Sequence, residues 1–219
     1  MSFWVVCISR TAGAGGEFIG QAVAQRLGFR YIDEQIITKA AQLAQVEPAL
    51  VAAAEKPRPL LQRLLDKLAA ASELVGPVSL ATGLPLDVLA SGQPAYRATP
   101  DDLGVLIRAA IHEIASVGRV VIVAHAASMA LAGTAGVLRV LVTASPDTRA
   151  QRLAALQGLG TEAANAGIVA SDHARRDYFQ RFYKVKDELP THYDLVINTD
   201  VLTSEEGVDL IVAAARRAT

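Results

Sequence analysis

The sequence is short of cysteine, of long apolar runs and of net charge, and each shortage excludes a class of protein. Because Cys7 is the single cysteine, no disulfide can form within the chain, which favours a reducing compartment. The apolar start is too short to cross a bilayer, so we predict neither a signal peptide nor a transmembrane helix. A formal net charge of −1 gives no global field for nucleic acid or an anionic membrane. We therefore expect a cytoplasmic protein without nucleic-acid or membrane partners.

What the sequence does contain is the alternating pattern of an α/β protein. Its 219 residues suit one domain, or a core domain with an inserted subdomain. Short β-rich runs alternate with amphipathic stretches, which predicts a parallel sheet with crossover helices. The predicted strands cover residues 3–9, 29–33, 119–124, 137–144 and 193–199.

Capping residues mark the ends of several predicted helices. Gly28 closes a helix over residues 16–27. Thr99 and Ser145 are N-caps, each followed by a proline that suits the first helical position. A final helix over 204–217 has acidic residues first and arginines last. The helix over residues 34–45 has one apolar face, formed by Ile36, Ile37, Ala40 and Leu43.

Between residues 47 and 100 the pattern changes. Pro57 and Pro59 interrupt any continuous helix, and a stretch rich in glycine, proline and serine follows. This stretch is too apolar for a disordered linker, so we predict an irregular, partly helical insertion packed against the core. Its apolar character also suggests an interface for a homodimer.

The stretch "ISRTAGAGGEFIG" at residues 8–20 combines a strand end, a glycine-rich loop and a helix start. Such a combination holds phosphate, because successive backbone N–H groups and a helix N-terminus face the anion. The complete motif is G-x-x-x-x-G-K-[ST]. Here Gly16 stands at the lysine position and Glu17 at the Ser/Thr position. The predicted phosphate-binding residues are Thr11, Ala12, Gly13, Ala14, Gly15, Gly16 and Glu17.

Two other interpretations of the loop stay open. Gly13 and Gly15 begin the dinucleotide fingerprint G-x-G-x-x-G, and Asp33 lies where a ribose-binding acid would follow the second strand. Phe18, however, occupies the position of the third glycine. The loop is otherwise a tight turn between strand and helix that binds nothing.

Together with three later stretches, the loop resembles the cytidylate kinase-like family of P-loop nucleoside monophosphate kinases. The opening is similar to that family's I-S-R-x-x-G-S-G-G, and "RVVIVAHAASMAL" to a segment that usually reads V-I-V-G-R-x-A. "VLVTASPDTRAQRL" is similar to a strand-to-helix passage of cytidylate kinases. The fourth stretch is "SDHARRDYFQRFY" followed by "YDLVINT".

The resemblance implies an α/β, P-loop NTPase fold of the nucleoside monophosphate kinase type, with three α/β/α layers and a five-stranded parallel sheet. It implies one kinase-like domain over residues 1–219, with a helical nucleotide-monophosphate-binding insertion at about 47–100 and a lid at about 155–190. ATP and Mg²⁺ would be donor and cofactor, and the acceptor a nucleotide or a small molecule. A glycine in place of the loop lysine is typical of this branch.

Phosphoryl transfer depends mainly on positioning and on electrostatic stabilisation, so arginines are the candidate catalytic residues. On the resemblance, Asp172, Arg175 and Tyr178 match D-x-x-R-x-x-Y in the lid. The alternative for this segment is a solvated helix face with an ordinary ion pair. The candidate arginines are Arg10, Arg149, Arg152, Arg175, Arg176 and Arg181.

The candidate acceptor-binding residues are Asp33, Arg97 and His125, although Asp33 would also serve as a helix cap. His125 stands where the family has the arginine of its Gly-Arg pair, and Glu17 replaces a basic or polar residue. Both departures count against activity. The sequence has no metal-ligand spacing, so we predict no protein-ligated metal. An ATP-dependent phosphotransferase is our first hypothesis, and a catalytically weakened nucleotide-binding or regulatory protein is the alternative.

Overall fold

The computed structural model of the protein describes residues 3–44, 48, 51–52, 100–123 and 125–216. The strands are β1 (Val5–Arg10), β2 (Arg30–Ile32), β3 (Val120–Val123), β4 (Val137–Thr143) and β5 (Leu195–Asn198). The helices are α1 (Gly16–Leu27), α2 (Gln35–Ala44), α3 (Pro100–Ser116), α4 (Ala127–Ala130), α5 (Pro146–Gln157), α6 (Thr161–Tyr183) and α7 (Ser204–Arg216). Most of the predicted insertion 47–100 lies outside the described residues, together with Arg97, Thr99 and the two prolines at 57 and 59.

The five strands form one parallel sheet in the order β2-β3-β1-β4-β5. Parallel neighbours require crossover connections, and helices on both faces make the central strands apolar throughout. All four residues of β3 are fully buried, as the apolar run at 119–124 predicts. The predicted parallel sheet is confirmed.

Successive residues of β1 supply the two cores of the molecule, because side chains of a strand alternate between faces. Val5 and Cys7 lie in the core that α2 and α3 cover. Val6 and Ile8 lie in the opposite core, under α1 and α7. The result is three layers, with β1 in the middle and the glycine loop at its carboxyl end.

The predicted helix ends at Gly28 and Ser145 are confirmed. Gly28 is left-handed and its N–H donates to the carbonyls of Ala24 and Gln25, which closes α1. The Ser145 hydroxyl accepts a hydrogen bond from the Thr148 N–H at the start of α5.

The expectation that Leu43 lies on the buried face of α2 is wrong. Its exposed fraction is 44 %, whereas the buried stripe runs through Ile36, Ile37, Ala40 and Ala41. At 100° per residue, Leu43 lies just outside that stripe, next to Ile36 and at the edge opposite to Ala41.

One long helix, α6, occupies most of the segment predicted as a lid. It runs unbroken for 23 residues. Near its end Phe182 packs so closely on α3 that a Cβ at Gly104 would come within 2.1 Å of the ring. In the ranges described above, no helix has both the length and the apolar character needed to cross a membrane.

Replacing Gly20 by alanine tests how closely α1 approaches the sheet. A Cβ there would lie 2.6 Å from Val123 Cγ2, and a buried β-branched side chain has little room to yield. We expect Gly20→Ala to lower the free energy of unfolding by about 1–2 kcal/mol, because overpacking outweighs the gain in helix propensity. Chemical denaturation measures the change.

Gln25→Ala is the matched control, because residue 25 is an exposed position of the same helix. Its unfolding free energy should change by less than about 0.5 kcal/mol. A Gly20→Ala protein more stable than the parent would show that α1 stands off from β3.

Candidate functional site

The loop after β1 lies at the carboxyl edge of the sheet, where β1 has β3 on one side and β4 on the other. In open parallel sheets this is the position at which crossovers diverge and ligands bind. Gly13 and Gly15 have φ of 80° and 82°, a left-handed conformation that glycine adopts without steric penalty. The predicted order of strand, glycine turn and helix is therefore present.

The first turn of α1 leaves its backbone donors unused. In the described part of the chain, no carbonyl or side-chain oxygen accepts a hydrogen bond from the amides of residues 15–18. These amides carry the partial positive charge of a helix N-terminus. The loop can therefore bind an anion through its backbone, without a lysine.

Arg10 fills the space above Gly16. A Cβ on Gly16 would lie 2.5 Å from the Cβ of Arg10 and 3.1 Å from its Cδ. The Arg10 guanidinium reaches Glu17, with 2.7 Å between Nη2 and Oε1. A side chain at position 16 and the observed Arg10 thus exclude each other, and Arg10 is the cation at the start of this helix.

The carbonyls of the loop are held at alternate positions, 10, 12 and 14. The carbonyls of residues 10 and 12 accept hydrogen bonds from arginines. The carbonyl of residue 14 accepts one from a threonine hydroxyl that is itself hydrogen-bonded to an arginine. The three bonds are Arg175 Nη1 to Arg10 O at 3.0 Å, Arg149 Nη1 to Ala12 O at 3.4 Å, and Thr199 Oγ1 to Ala14 O at 3.1 Å.

Arg149 is a buried residue of α5, with 4 % of its side chain exposed. Its two Nη atoms donate to both carboxylate oxygens of Asp172 on α6, at 2.9 and 2.7 Å. Gly13 packs on its backbone, so that a Cβ at Gly13 would lie 2.6 Å from the Arg149 carbonyl oxygen. The close approach explains why glycine occupies position 13.

Arg152 connects the loop to the segment after β5. Its guanidinium donates to the hydroxyl of Thr199 at 2.8 Å and to the Thr199 carbonyl at 2.6 Å. Thr199 in turn is buried and donates to Ala14. Thr199 was not a predicted site residue, and nothing in its local sequence distinguishes it from an ordinary strand end.

Arg175 forms a two-bond ion pair with Glu188, at 2.7 Å from Nε and 2.6 Å from Nη2. Its guanidinium also stacks on Phe179, 4.6 Å from the ring centroid. Burial lowers the pKa of Arg175, but the hydrogen bonds and charge of Glu188 outweigh it and raise that pKa. The Tyr193 hydroxyl donates to Glu188, and burial raises the pKa of Tyr193.

Two of the remaining predicted residues, Arg176 and Tyr178, line cavities beside Arg175. Arg176 is exposed and borders a cavity of about 280 Å³ together with Thr11 and Lys186. Tyr178 borders a second cavity of about 230 Å³ that Arg10 also lines. Arg181 lies over the ring of Phe182, 4.1 Å from its centroid.

On the predicted acceptor side, His125 and Asp33 face each other, with 3.7 Å between Nε2 and Oδ1. The hydroxyl of Tyr31 donates to the other oxygen of Asp33 at 3.3 Å. Burial, together with the Asp33 carboxylate, raises the pKa of Tyr31 to about 12. His125 has a left-handed φ of 52°, which is uncommon outside glycine. Asp33 and Tyr31 also line an open cavity of about 450 Å³ with Glu17 and Glu34.

The structure brings most of the predicted residues to one edge of the sheet but gives several of them other partners. Arg149, Arg152 and Arg175 donate to protein oxygens, and Arg10 pairs with Glu17. Arg97 lies outside the described residues. Among those that are described, no group of three or more His, Cys, Asp or Glu side chains is placed to hold a metal ion. Sequence analysis missed Thr199, Glu188 and Tyr31, which are acceptors or donors to predicted residues. It also missed Tyr193, which donates to Glu188.

A five-stranded parallel sheet of this order, with a glycine loop between β1 and α1, is the P-loop NTPase fold of the nucleoside monophosphate kinase type. The model of the cytidylate kinase-like family matches residues 5–201. This chain belongs to the cytidylate kinase-like family.

Solved structures show the same fold at low sequence identity. An uncharacterized protein from Eubacterium ventriosum ATCC 27560 is 14 % identical, with a TM-score of 0.62 over 98 % of this chain and 99 % of that one. The protein TT1252 from Thermus thermophilus is 16 % identical, with a TM-score of 0.50 over 100 % of both chains. No curated protein matches the chain in sequence.

Replacing Gly13 by alanine measures the contact between the loop and Arg149. The variant combines a left-handed φ with the overlap at 2.6 Å, so we expect a loss of about 2–4 kcal/mol in the free energy of unfolding. Thermal or denaturant unfolding gives the value.

Gly133→Ala is the matched control, because its φ is +75° and no atom would lie within 4 Å of the added Cβ. It should lose only about 1–2 kcal/mol, the cost of the backbone conformation. Equal losses in the two variants would mean that the loop does not pack on Arg149.

Proposed function

We propose that this protein is an ATP-dependent phosphotransferase that acts on a nucleotide or a small-molecule acceptor. The observation that carries the proposal is the row of unused amides at residues 15–18, next to the side chain of Arg10, which packs on Gly16. Membership of a kinase-like family supports the same activity.

In this proposal the amides of residues 13 and 15–17 hold the phosphates of ATP, and Arg10 supplies the charge that the loop lysine supplies elsewhere. The amide of Ala14 lies between them and donates to the carbonyl of Thr11 at 3.1 Å. Arg10 must then leave Glu17 and turn toward phosphate, to which a guanidinium donates well. Arg176 and Lys186 lie at the rim of the neighbouring cavity and are available as further cations. Their charge would stabilise the negative charge of the transferring group.

The family implies Mg²⁺ as the metal that accompanies ATP. Glu17 occupies the position of the hydroxyl that helps hold the metal in the complete motif, and a carboxylate oxygen is a ligand that Mg²⁺ accepts. Glu17 would be available as such a ligand once Arg10 has moved to phosphate. Bound Mg²⁺ would neutralise charge on the phosphates.

The acceptor would bind on the side of Asp33 and His125, with Arg97 and the insertion 47–100 completing its site. An acceptor oxygen would bond to the terminal phosphorus of ATP as the bond to the departing ADP breaks, and its proton would leave with water or a carboxylate. The whole of residues 1–219 would act as one domain, with residues 155–190 on the lid side.

The second candidate is a nucleotide-binding or regulatory protein that has lost turnover. It is favoured by the ion pairs of the site, since Arg10, Arg149 and Arg175 are each matched by a carboxylate. His125 is also shorter than the arginine that the family carries there. Only a measurement of turnover separates the two candidates.

The first test is calorimetric titration of the protein with ATP, with and without Mg²⁺. We expect binding, and we expect Arg10→Gln to weaken it roughly ten- to a hundredfold, since it removes charge-assisted hydrogen bonds. Glu17→Gln should raise the affinity for ATP without Mg²⁺, because it releases Arg10 from its ion pair and removes a negative charge close to the phosphates.

Arg26→Gln is the control, since Arg26 is a surface arginine that pairs with Glu205 and Asp209 away from the loop. Its ATP affinity should equal that of the parent. If the parent binds no ATP, the loop is only a turn. Binding of NADH without ATP would favour the dinucleotide alternative.

The second test is turnover against a panel of nucleotides and phosphorylated or hydroxylated small molecules. A phosphotransferase should release ADP only with its acceptor, and Arg10→Gln should reduce kcat/KM at least as strongly as it reduces ATP affinity. ATP binding without ADP release across the panel would contradict the phosphotransferase and leave the binding protein.

A further inference from the structure

The three arginines that donate toward the loop carbonyls share one arrangement. Each has its guanidinium fixed by a second group, which is Asp172 for Arg149, Thr199 for Arg152 and Glu188 for Arg175. Each then contacts the loop directly or through one hydroxyl. The arginines therefore satisfy carbonyls of the loop, whereas the amides of residues 15–18 are left without a partner.

Arg149 is the most buried of the three. Its guanidinium donates two hydrogen bonds to the carboxylate of Asp172, and its own backbone is in contact with Gly13. Turning this guanidinium toward a phosphate would leave the Asp172 carboxylate without its ion pair, which is costly for partly buried charges. The contacts of Arg149 are therefore those of a residue that supports the backbone of residues 12 and 13.

Arg175 reaches the loop one residue before Thr11. Two of its donors are occupied by Glu188 and a third by the carbonyl of Arg10, whose side chain is the cation of the loop. The hydroxyl of Tyr193 fixes Glu188 in turn. Because the pair Arg175–Glu188 has no net charge, it adds little attraction for phosphate, but it fixes the orientation of the Arg10 peptide.

We propose that Arg149 and Arg175 are positioning residues that lock the phosphate loop to α6, and that they are not ligands of the phosphates. Their carboxylate partners, Asp172 and Glu188, have the same positioning role. With these pairs intact, α6 and the loop move as one body, so closure over a bound nucleotide involves other segments. The inference rests on the proposed function in one respect, that the loop holds ATP.

Glu188→Gln separates a positioning role from direct binding, because the two roles predict opposite signs. If Arg175 positions the loop, Glu188→Gln and Arg175→Gln both weaken ATP binding, each by about tenfold, because a displaced loop loses aligned donors. If Arg175 binds phosphate, Arg175→Gln weakens binding, whereas Glu188→Gln releases the arginine and tightens it. Tighter binding by Glu188→Gln would overturn the proposal.

The double variant gives a second discrimination. Residues that act as one unit have non-additive effects, so we expect Arg175→Gln with Glu188→Gln to bind ATP no more weakly than the worse single variant. A double variant that loses the product of the two single factors would overturn the proposal. Asp172→Asn tests the Arg149 pair in the same way, since it keeps Arg149 in place and removes one charge.

The control is Arg139→Gln. Arg139 forms an equivalent two-bond pair with Asp194, at 2.7 and 3.1 Å, between β4 and the start of β5. The Arg139→Gln variant should bind ATP as tightly as the parent protein, even if its melting temperature is lower. A loss of affinity equal to that of Arg175→Gln would reduce the positioning role to general stability.

A readout without nucleotide keeps the proposal separate from the proposed function. In the unliganded protein, the NMR amide shifts of Gly13, Gly15 and Gly16 should change in Glu188→Gln and Arg175→Gln, and stay fixed in Arg139→Gln. Unchanged loop glycines in the first two variants would overturn the positioning role. If the parent binds no ATP but these glycines do shift, the proposed function fails while the lock between loop and α6 stands.

Discussion

The hydrogen bonds to the carbonyls of residues 10, 12 and 14 are the interaction on which the candidate site depends. A glycine-rich turn has many conformations to lose, and its backbone donors are useful only if they stay aligned. Hydrogen bonds to alternate carbonyls fix the turn and leave the amides of residues 15–18 unused. The central strand β1, buried on both faces, gives the turn a rigid starting point.

The packing of Arg10 on Gly16 accounts for the missing lysine of the loop. The position that a lysine would occupy is glycine, and the space above it is filled by the side chain of Arg10. A guanidinium from the last residue of β1 and an ammonium from the first turn of α1 are therefore alternative sources of positive charge in the same space. Gly16 packs directly against Arg10, so the residue that is possible at each of these positions depends on the other.

Local sequence signals predicted the parts of the fold that are themselves local. The caps at Gly28 and Ser145, the apolar strands and the glycine turn follow from neighbouring residues, and the structure contains them. The family resemblance pointed to Arg149, Arg152 and Arg175, which the structure places around the loop. Their partners were not predictable, because Arg149 and Asp172 are 23 positions apart, Arg152 and Thr199 are 47, and nothing local links them. Leu43 was misplaced because a helical repeat alone does not define where a buried face ends.

The pairing of charges around the loop has a consequence for the kinetics of encounter. Arg10, Arg149 and Arg175 are each balanced by a carboxylate, and the chain as a whole carries −1. A polyanion that approaches from solution is therefore only weakly attracted by these three arginines. In the proposed function, capture of the anion would rely mainly on diffusion, and selectivity would arise after contact, when Arg10 exchanges Glu17 for the arriving anion.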